Sequence, residues 1–251
     1  MSTSKFALVT GAGSGIGQAC ALALLSEGWQ VGLLGRRADA LQATVAAAGT
    51  NSVNALPLPC DVGREEQVTA AFDTLRQRFG RLDLLFNNAG GGLGSTTPDV
   101  VSGEDWRRIV DVNLNGVFYC LSQAFKLMRE QAPRGGRIIN NGSISAHAPR
   151  PGSIAYTATK HAVTGLTKTA ALDGRPFDIA VGQIDIGNAA SEMTARMVNG
   201  VPQADGSVRP EPRMDLQAVV DTFMTMARLP LSANILFATV MATKMPFVGR
   251  G

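Results

Sequence analysis

The chain has 251 residues, of which 45% are hydrophobic, and its 23 basic and 20 acidic residues leave a net charge of +3. Many α/β proteins of this length form one domain around one core, so we expect a single domain over residues 1–251. The basic residues are scattered, which argues against nucleic acid or an anionic membrane as a partner. No apolar stretch approaches the roughly 20 residues that cross a bilayer, and the start of the chain does not resemble a secretion signal.

The three cysteines, Cys20, Cys60 and Cys120, do not have the spacing of metal ligands and cannot all pair with one another. The sequence therefore predicts a soluble, cytoplasmic protein with reduced thiols and no metal site.

Seven short apolar runs predict β-strands, and segments with helical periodicity separate them. The strands are predicted at residues 6–10, 31–34, 54–58, 82–86, 136–140, 178–182 and 235–239, and the helices at 17–27, 38–48, 65–79, 106–129 and 155–172. Strict alternation of this kind implies parallel strands joined by right-handed helical crossovers. We therefore expect an α/β fold: a single Rossmann-type doubly wound domain, with a seven-stranded parallel sheet and helices on both faces.

A glycine-rich segment, Thr10-Gly-Ala-Gly-Ser-Gly-Ile-Gly17, follows the first strand directly and opens the first helix. Glycines let the backbone turn tightly and approach a pyrophosphate, which then faces the amides and the positive end of the helix. The spacing is T-G-x-x-x-G-x-G rather than G-x-G-x-x-G. A plain strand-to-helix turn is the alternative, although four glycines in seven residues favour a dinucleotide site. The candidate cofactor contacts here are Gly11, Gly13, Ser14, Gly15, Ile16 and Gly17.

Two arginines, Arg36 and Arg37, follow the second predicted strand, where dinucleotide-binding sheets place the group that contacts the adenosine ribose. No carboxylate stands there to accept from the 2′-hydroxyl of NAD. The forked guanidinium donors suit a 2′-phosphate instead. NADP is the favoured cofactor and NAD the alternative; the arginines could also be solvated residues at a helix start.

The sequence Tyr156-Thr-Ala-Thr-Lys160 places a phenol and an ammonium four residues apart, on one face of a predicted helix. A free phenol has a pKa of about 10, and a nearby cation stabilises its phenolate. Tyr156 thereby becomes usable as a general acid and base. A lone Tyr-x-x-x-Lys is weak support, but Ser143 stands thirteen residues earlier at a strand end, where open α/β sheets place ligands.

Two further motifs stand in order along the chain: Asn87-Asn88-Ala89-Gly90 after the fourth strand, and Asp111-Val-Asn113 in the long helix. With the glycine turn, Ser143 and the Tyr/Lys pair, these motifs resemble the classical short-chain dehydrogenase/reductase family from residue 6 to about residue 191. The resemblance implies a nicotinamide-dependent oxidoreductase.

The resemblance also implies roles for individual residues. Tyr156 exchanges a proton with a carbonyl or alcohol oxygen that Ser143 orients, Lys160 binds the nicotinamide ribose, and Asn113 holds a water. Read alone, Ser143 could cap a turn and Asn113 could be a core amide. The further cofactor contacts that the resemblance implies, besides Lys160, are Asp61, Val62, Asn88, Ala89, Gly90, Tyr156, Gly187 and Ser191. Ile186 stands where the family usually has proline before Gly187, and the usual Asp-Gly-Gly after the seventh strand is missing.

Residues 188–214 break the alternation with Gly, Pro and polar residues, and we expect this segment to be a lid over the substrate. The substrate is expected to be a small carbonyl compound or alcohol. By resemblance, the partner is a second copy of the chain in a homotetramer, with a dimer as the alternative. A regulatory protein that binds the cofactor without turnover is the rival function, and a sugar-nucleotide epimerase is disfavoured by the short C-terminal region. The candidate substrate contacts are Gly92, Leu93, Ser95, His147, Arg150, Asn188 and Met193.

Overall fold

The computed structural model describes residues 5–248, apart from the side chains of residues 192 and 196. Residues 1–4 and 249–251 therefore lie outside the described part of the chain. In chain order the elements are β1 (Phe6–Thr10), α1 (Gly15–Ser26), β2 (Gln30–Gly35), α2 (Ala38–Ala47), β3 (Ala55–Pro59), α3 (Glu65–Phe79), β4 (Leu84–Asn87), α4 (Gly103–Val110), α5 (Gly116–Glu130), β5 (Gly136–Asn141), α6 (Ile154–Asp173), β6 (Ile179–Gly187), β7 (Val201–Pro202), β8 (Val208–Arg209), α7 (Leu216–Arg228) and β9 (Phe237–Met241).

Seven of these strands form one parallel sheet in the order β3-β2-β1-β4-β5-β6-β9. The order reverses between β1 and β4, which leaves a crevice at the carboxyl ends of these strands. The predicted doubly wound α/β fold is confirmed. A two-stranded antiparallel hairpin, β7 and β8, lies outside the sheet.

Both faces of the sheet are buried, which explains why the strands read as almost continuous apolar runs. Along β1, Ala7 and Val9 pack into a core with α1 and α7. Leu8, between them, faces a second core with α3 and α5. The alternation follows from the two-residue period of a strand and places helices on both faces.

The sixth strand is longer than the sequence predicts, because it runs over nine residues, from Ile179 to Gly187. The prediction ended at residue 182, where the polar residues Gln183 and Asp185 interrupt the apolar run. Both side chains are nevertheless fully buried. The periodicity misses this half of the strand because hydrogen bonds, rather than apolar contacts, satisfy its side chains.

The long helix predicted at residues 106–129 is divided in two by one π-helical turn, Asp111–Asn115, which separates α4 from α5. Such turns leave the regular i to i−4 ladder and are frequent at functional sites. Asn113 lies in this turn. The helix α7, by contrast, was not among the predicted helices, and it packs on α1 through Val219 and Phe223.

The segment predicted as a lid has local structure of its own. A 3-10 helix, Glu192–Asn199, begins at Ser191 with reciprocal capping by Thr194, and the hairpin of β7 and β8 follows. Within residues 5–248, no helix combines the length and the apolar character that crossing a bilayer requires.

Candidate active site

A cavity of about 550 Å³ opens at the carboxyl ends of the strands, at the crevice between β1 and β4. Fifteen of the seventeen predicted cofactor residues line it, from the glycine turn to the Tyr/Lys pair. These are Gly11, Gly13, Ser14, Gly15, Ile16, Arg36, Arg37, Asp61, Val62, Asn88, Ala89, Gly90, Tyr156, Lys160 and Ser191.

Two predicted contacts, Gly17 and Gly187, do not line the cavity. A Cβ on Gly17 would lie 2.3 Å from the Gly11 carbonyl oxygen, so this glycine allows α1 to approach the turn closely. A Cβ on Gly187 would lie 2.9 Å from both Met241 and Met245. Gly187 therefore packs against the chain after β6, and its neighbour Ile186 faces the cavity instead.

The glycine turn presents backbone amides to the cavity. Gly11 and Gly15 have φ values of 68° and 55°, which side chains rarely tolerate. Ser14, directly before α1, makes no side-chain hydrogen bond to the first turn, and that turn has no acidic residue. The free amides and the positive helix end thus face the space that a pyrophosphate would fill.

Asn88 connects the glycine turn to the end of the cavity where Tyr156 and Lys160 lie. Its side-chain nitrogen donates to the Thr10 carbonyl at 2.9 Å, and its side-chain oxygen accepts from Asn141 at 3.0 Å. Lys160 in turn donates from Nζ to the Asn141 carbonyl at 2.6 Å. One chain of hydrogen bonds therefore runs from the glycine turn to Lys160 and fixes their relative positions.

Lys160 is 4% exposed, and its Nζ lies 5.5 Å from the centroid of the Tyr156 ring. Both residues lie in the first two turns of α6, where helix periodicity puts them on one face. The Tyr156 ring is half-buried at the cavity wall. A phenol beside a buried cation can give up a proton and leave a stabilised phenolate.

Ser143 follows β5 and is buried, with its neighbour Gly142 at the cavity wall. Its Oγ accepts from the Ser145 amide at 3.1 Å, as in the turn cap considered from the sequence. A hydroxyl that accepts through its lone pair keeps its proton free to donate. The cap and a role in catalysis are therefore compatible.

The side chain of Asn113 is hydrogen-bonded to the backbone of Gly91. Its Oδ1 accepts from the Gly91 amide at 2.8 Å, and its Nδ2 donates to the Gly91 carbonyl at 2.9 Å. Nδ2 also approaches the Thr159 hydroxyl at 3.4 Å. The amide thus fixes the loop after β4, a contact that the sequence analysis missed.

Of the seven predicted substrate contacts, five do not line the cavity, namely Gly92, Leu93, Ser95, His147 and Arg150. Asn188 and Met193 line the cavity. Arg150 instead forms an ion pair with the buried carboxylate of Glu211 and donates to Asn188 at 2.8 Å. The charge of Arg150, a predicted substrate contact, is therefore paired inside the protein. Glu211 itself could not be recognised from the sequence, because its partner is 61 residues away.

Several lining residues carried no sequence signal: the structure adds Gly35, Ala40, Leu41, Cys60, Val112, Asn141, Gly142, Ala189 and Thr194. Most of them contribute backbone or small apolar surface, which no motif marks. Burial raises the pKa of the Cys60 thiol to about 11, so this group stays protonated at neutral pH. Within the described residues, no cluster of three or more His, Cys, Asp or Glu side chains could hold a metal ion.

The cavity fits a nicotinamide dinucleotide on three observations. Uncapped amides face the pyrophosphate position, glycines leave it free of side chains, and the volume is within the usual range of ligand sites. Such a cofactor would be held at the pyrophosphate by the Gly11–Ile16 turn, at the adenosine by Arg36 and Asp61, and at the nicotinamide end by Lys160.

Fold and cavity together define a dinucleotide-binding α/β protein, and comparisons give its family. The sequence model of the short chain dehydrogenase family matches residues 5–201, so the chain belongs to that family of oxidoreductases.

The chain is 40% identical over 169 residues to a 3beta-hydroxysteroid dehydrogenase of Mediterraneibacter gnavus; the match spans 67% of this chain and 60% of that relative. The structure of 3-ketoacyl-(acyl-carrier-protein) reductase from Brucella melitensis complexed with NADH is similar, with a TM-score of 0.83 at 25% identity, covering 94% of this chain and 96% of that chain. ElxO with NADP bound has a TM-score of 0.84 at 26% identity, covering 95% and 98%.

Proposed function

We propose that this chain is an NADP-dependent oxidoreductase that interconverts a small ketone or aldehyde and the corresponding alcohol, with Tyr156 as general acid and base. One observation carries the proposal: the buried ammonium of Lys160 lies beside the Tyr156 ring, at the wall of the cavity that the glycine turn also lines. Family membership and similar structures that hold NADH and NADP support the cofactor class.

Each residue of the site has a separate role in the proposed reaction. During reduction Tyr156 donates its phenolic proton to the substrate oxygen, and Lys160 stabilises the phenolate that remains. Ser143 donates a hydrogen bond to the same oxygen, since its Oγ already accepts from Ser145. When bound, the cofactor supplies or accepts the hydride. In the reverse direction Tyr156 removes the proton from the alcohol.

The segment at 188–214 is proposed to cover the substrate. Asn188 and Met193 belong to this segment and line the cavity. Ser191 lies within van der Waals distance of the position that a Cβ on Gly15 would take. The segment therefore extends over both the phosphate end and the substrate end of the site.

Substitution of Tyr156 by phenylalanine tests the central assignment. The variant keeps the ring and loses the proton, so we expect unchanged binding of NADPH by fluorescence titration and a fall in kcat by roughly a hundred- to ten-thousandfold on a panel of ketones, aldehydes and alcohols. Loss of cofactor binding by both proteins would contradict the assignment. Binding without turnover by either protein would favour the regulatory alternative.

A further inference from the structure

The carboxylate of Asp185 is fully buried next to the catalytic serine. Its Oδ1 accepts from the Ser143 amide at 2.9 Å and from Gln183 Nε2 at 2.8 Å. Its Oδ2 lies 2.8 Å from Nε2 of His147. An ionised carboxylate only accepts hydrogen bonds, and these three groups supply its donors.

The backbone at Gly142 leaves room for this carboxylate. A Cβ on Gly142 would lie 2.0 Å from Asp185 Oδ1 and 2.5 Å from Gln183 Nε2. Gly142 is not among the glycines with positive φ, so its conformation does not require glycine. The space does, because the Asp185 carboxylate occupies it. The Asp185 carboxylate can therefore occupy this position only because residue 142 has no side chain.

The contacts of Ser143 are fixed on both sides. Asp185 holds its amide, and the Ser145 amide donates to its Oγ. Each contact involves a side chain, so neither belongs to a helix or strand ladder, although the backbone of Ser143 is extended, with φ −171° and ψ 151°. Movement of the amide would carry the hydroxyl with it, since both belong to one residue.

His147 connects the carboxylate to solvent. Its side chain is 46% exposed, whereas that of Asp185 is 1% exposed. Facing a group that only accepts, Nε2 carries a proton, and the ring packs edge-on against Phe247 at 6.5 Å between centroids. Burying a carboxylate is expensive even when it is paired, and an apolar residue at 185 would fill the same space without that penalty.

We propose that Asp185 is a positioning residue that fixes the Ser143 hydroxyl for proton donation to the substrate oxygen, with His147 as its solvent-side donor. The proposal rests on the proposed function. A misplacement of a reacting group by about 1 Å can lower a rate by about a hundredfold, so loss of this contact is expected to act on kcat.

The test compares Asp185→Ala, Asp185→Asn and the control Asp83→Ala by steady-state kinetics, NADPH titration and thermal unfolding. Asp83 also accepts a backbone amide, that of Phe6 at 2.9 Å, but it lies before β4, at the opposite end of the sheet. We expect Asp185→Ala to lower kcat about ten- to a hundredfold with KM and the NADPH Kd nearly unchanged. Asp185→Asn is expected to retain most of kcat, because its amide oxygen can still accept from Ser143.

A second comparison separates positioning from general destabilisation. If Asp185 acts through Ser143, Asp185→Ala should lower kcat no further in a Ser143→Ala background, because residues that act as a unit are not additive. An equal fall in both backgrounds, or a fall of the same size in Asp83→Ala, would overturn the inference. So would wild-type kcat in Asp185→Ala. Absence of turnover by the wild-type protein would overturn the proposed function together with the inference.

Discussion

Arg36 and Arg37 line the adenosine end of the cavity, and both are exposed. No ion pair to either guanidinium occurs within residues 5–248. Their donors are therefore available to a ligand. The only carboxylate that lines the cavity, among the residues described, is that of Asp61, and it already accepts from the Gly63 amide. The guanidinium donors support the proposed preference for NADP, because their geometry suits a 2′-phosphate.

Replacing both arginines by alanine should weaken NADPH binding selectively. Hydrogen bonds to charged groups contribute about 1.5–3 kcal/mol, so the NADPH Kd is expected to rise roughly ten- to a hundredfold, with little change for NADH. Fluorescence titration with both cofactors measures this. Arg76→Ala is the control, since this exposed arginine pairs with Glu130 away from the cavity. Equal weakening for NADPH and NADH would contradict NADP preference.

The predicted catalytic residues show how much of the site the motifs predict. Spacing alone put Tyr156 and Lys160 on one helix face, and the structure places both at the cavity. Spacing could not show that the side chain of Asn113 is engaged with Gly91, or that Asp185 lies behind Ser143. Those contacts join residues 22 and 42 positions apart, and only the folded chain brings them together.

The elements whose bounds differ most from the predicted ones are those that contain buried polar residues. The second half of β6 is buried but carries Gln183 and Asp185, so its apolar period is lost. The long helix contains the π-turn around Asn113, which periodicity does not register. Helix and strand patterns report apolar burial, and they fail where hydrogen bonds satisfy buried polar groups.

The buried carboxylate of Glu211 connects parts of the 188–214 segment with Arg150, which lies outside the segment. Glu211 is 4% exposed, and it forms an ion pair with Arg150 and accepts from Asn188 at 2.7 Å and Gln203 at 3.0 Å. These polar contacts stand beside apolar ones, since Ala189 and Val201 of the same segment are also buried. The sequence predicts an irregular segment that forms a lid, but it does not reveal this carboxylate.

Glu211→Ala should loosen this segment and lower stability. Removing one partner of a buried ion pair typically costs about 3–5 kcal/mol, because the remaining charge stays buried. We expect this loss in denaturant unfolding, together with a raised KM if the segment covers the substrate. Asp205→Ala is the control, since the Asp205–Arg209 pair lies in the same segment but is exposed. A loss as large in Asp205→Ala would contradict the burial argument.

At the scale of the whole molecule, two apolar cores on opposite faces hold the sheet, and several large apolar side chains remain on the outer helices. Trp106 and Phe118 are 39% and 48% exposed on α4 and α5, and Leu172 is 56% exposed on α6. Exposed apolar surface of this kind is typical of contacts between chains. It supports the prediction of a homotetramer.

Sedimentation velocity tests that prediction. We expect a tetramer at micromolar concentration, and a shift toward smaller species for Phe118→Asp, which places a charge on this surface. Leu231→Asp is a control at another exposed site, in the loop after α7. A wild-type protein that sediments only as a monomer would contradict the tetramer.

The sequence by itself determined the strand–helix alternation, the glycine turn and the Tyr156/Lys160 pair, because each depends on neighbours within a few turns of backbone. Only the tertiary structure decided which residues meet across the sheet: Asn88 with Asn141, Arg150 with Glu211, and Asp185 with Ser143. Periodicity and motif spacing describe local geometry. Contacts between distant strands and loops depend on strand order and register, which the folded sheet alone establishes.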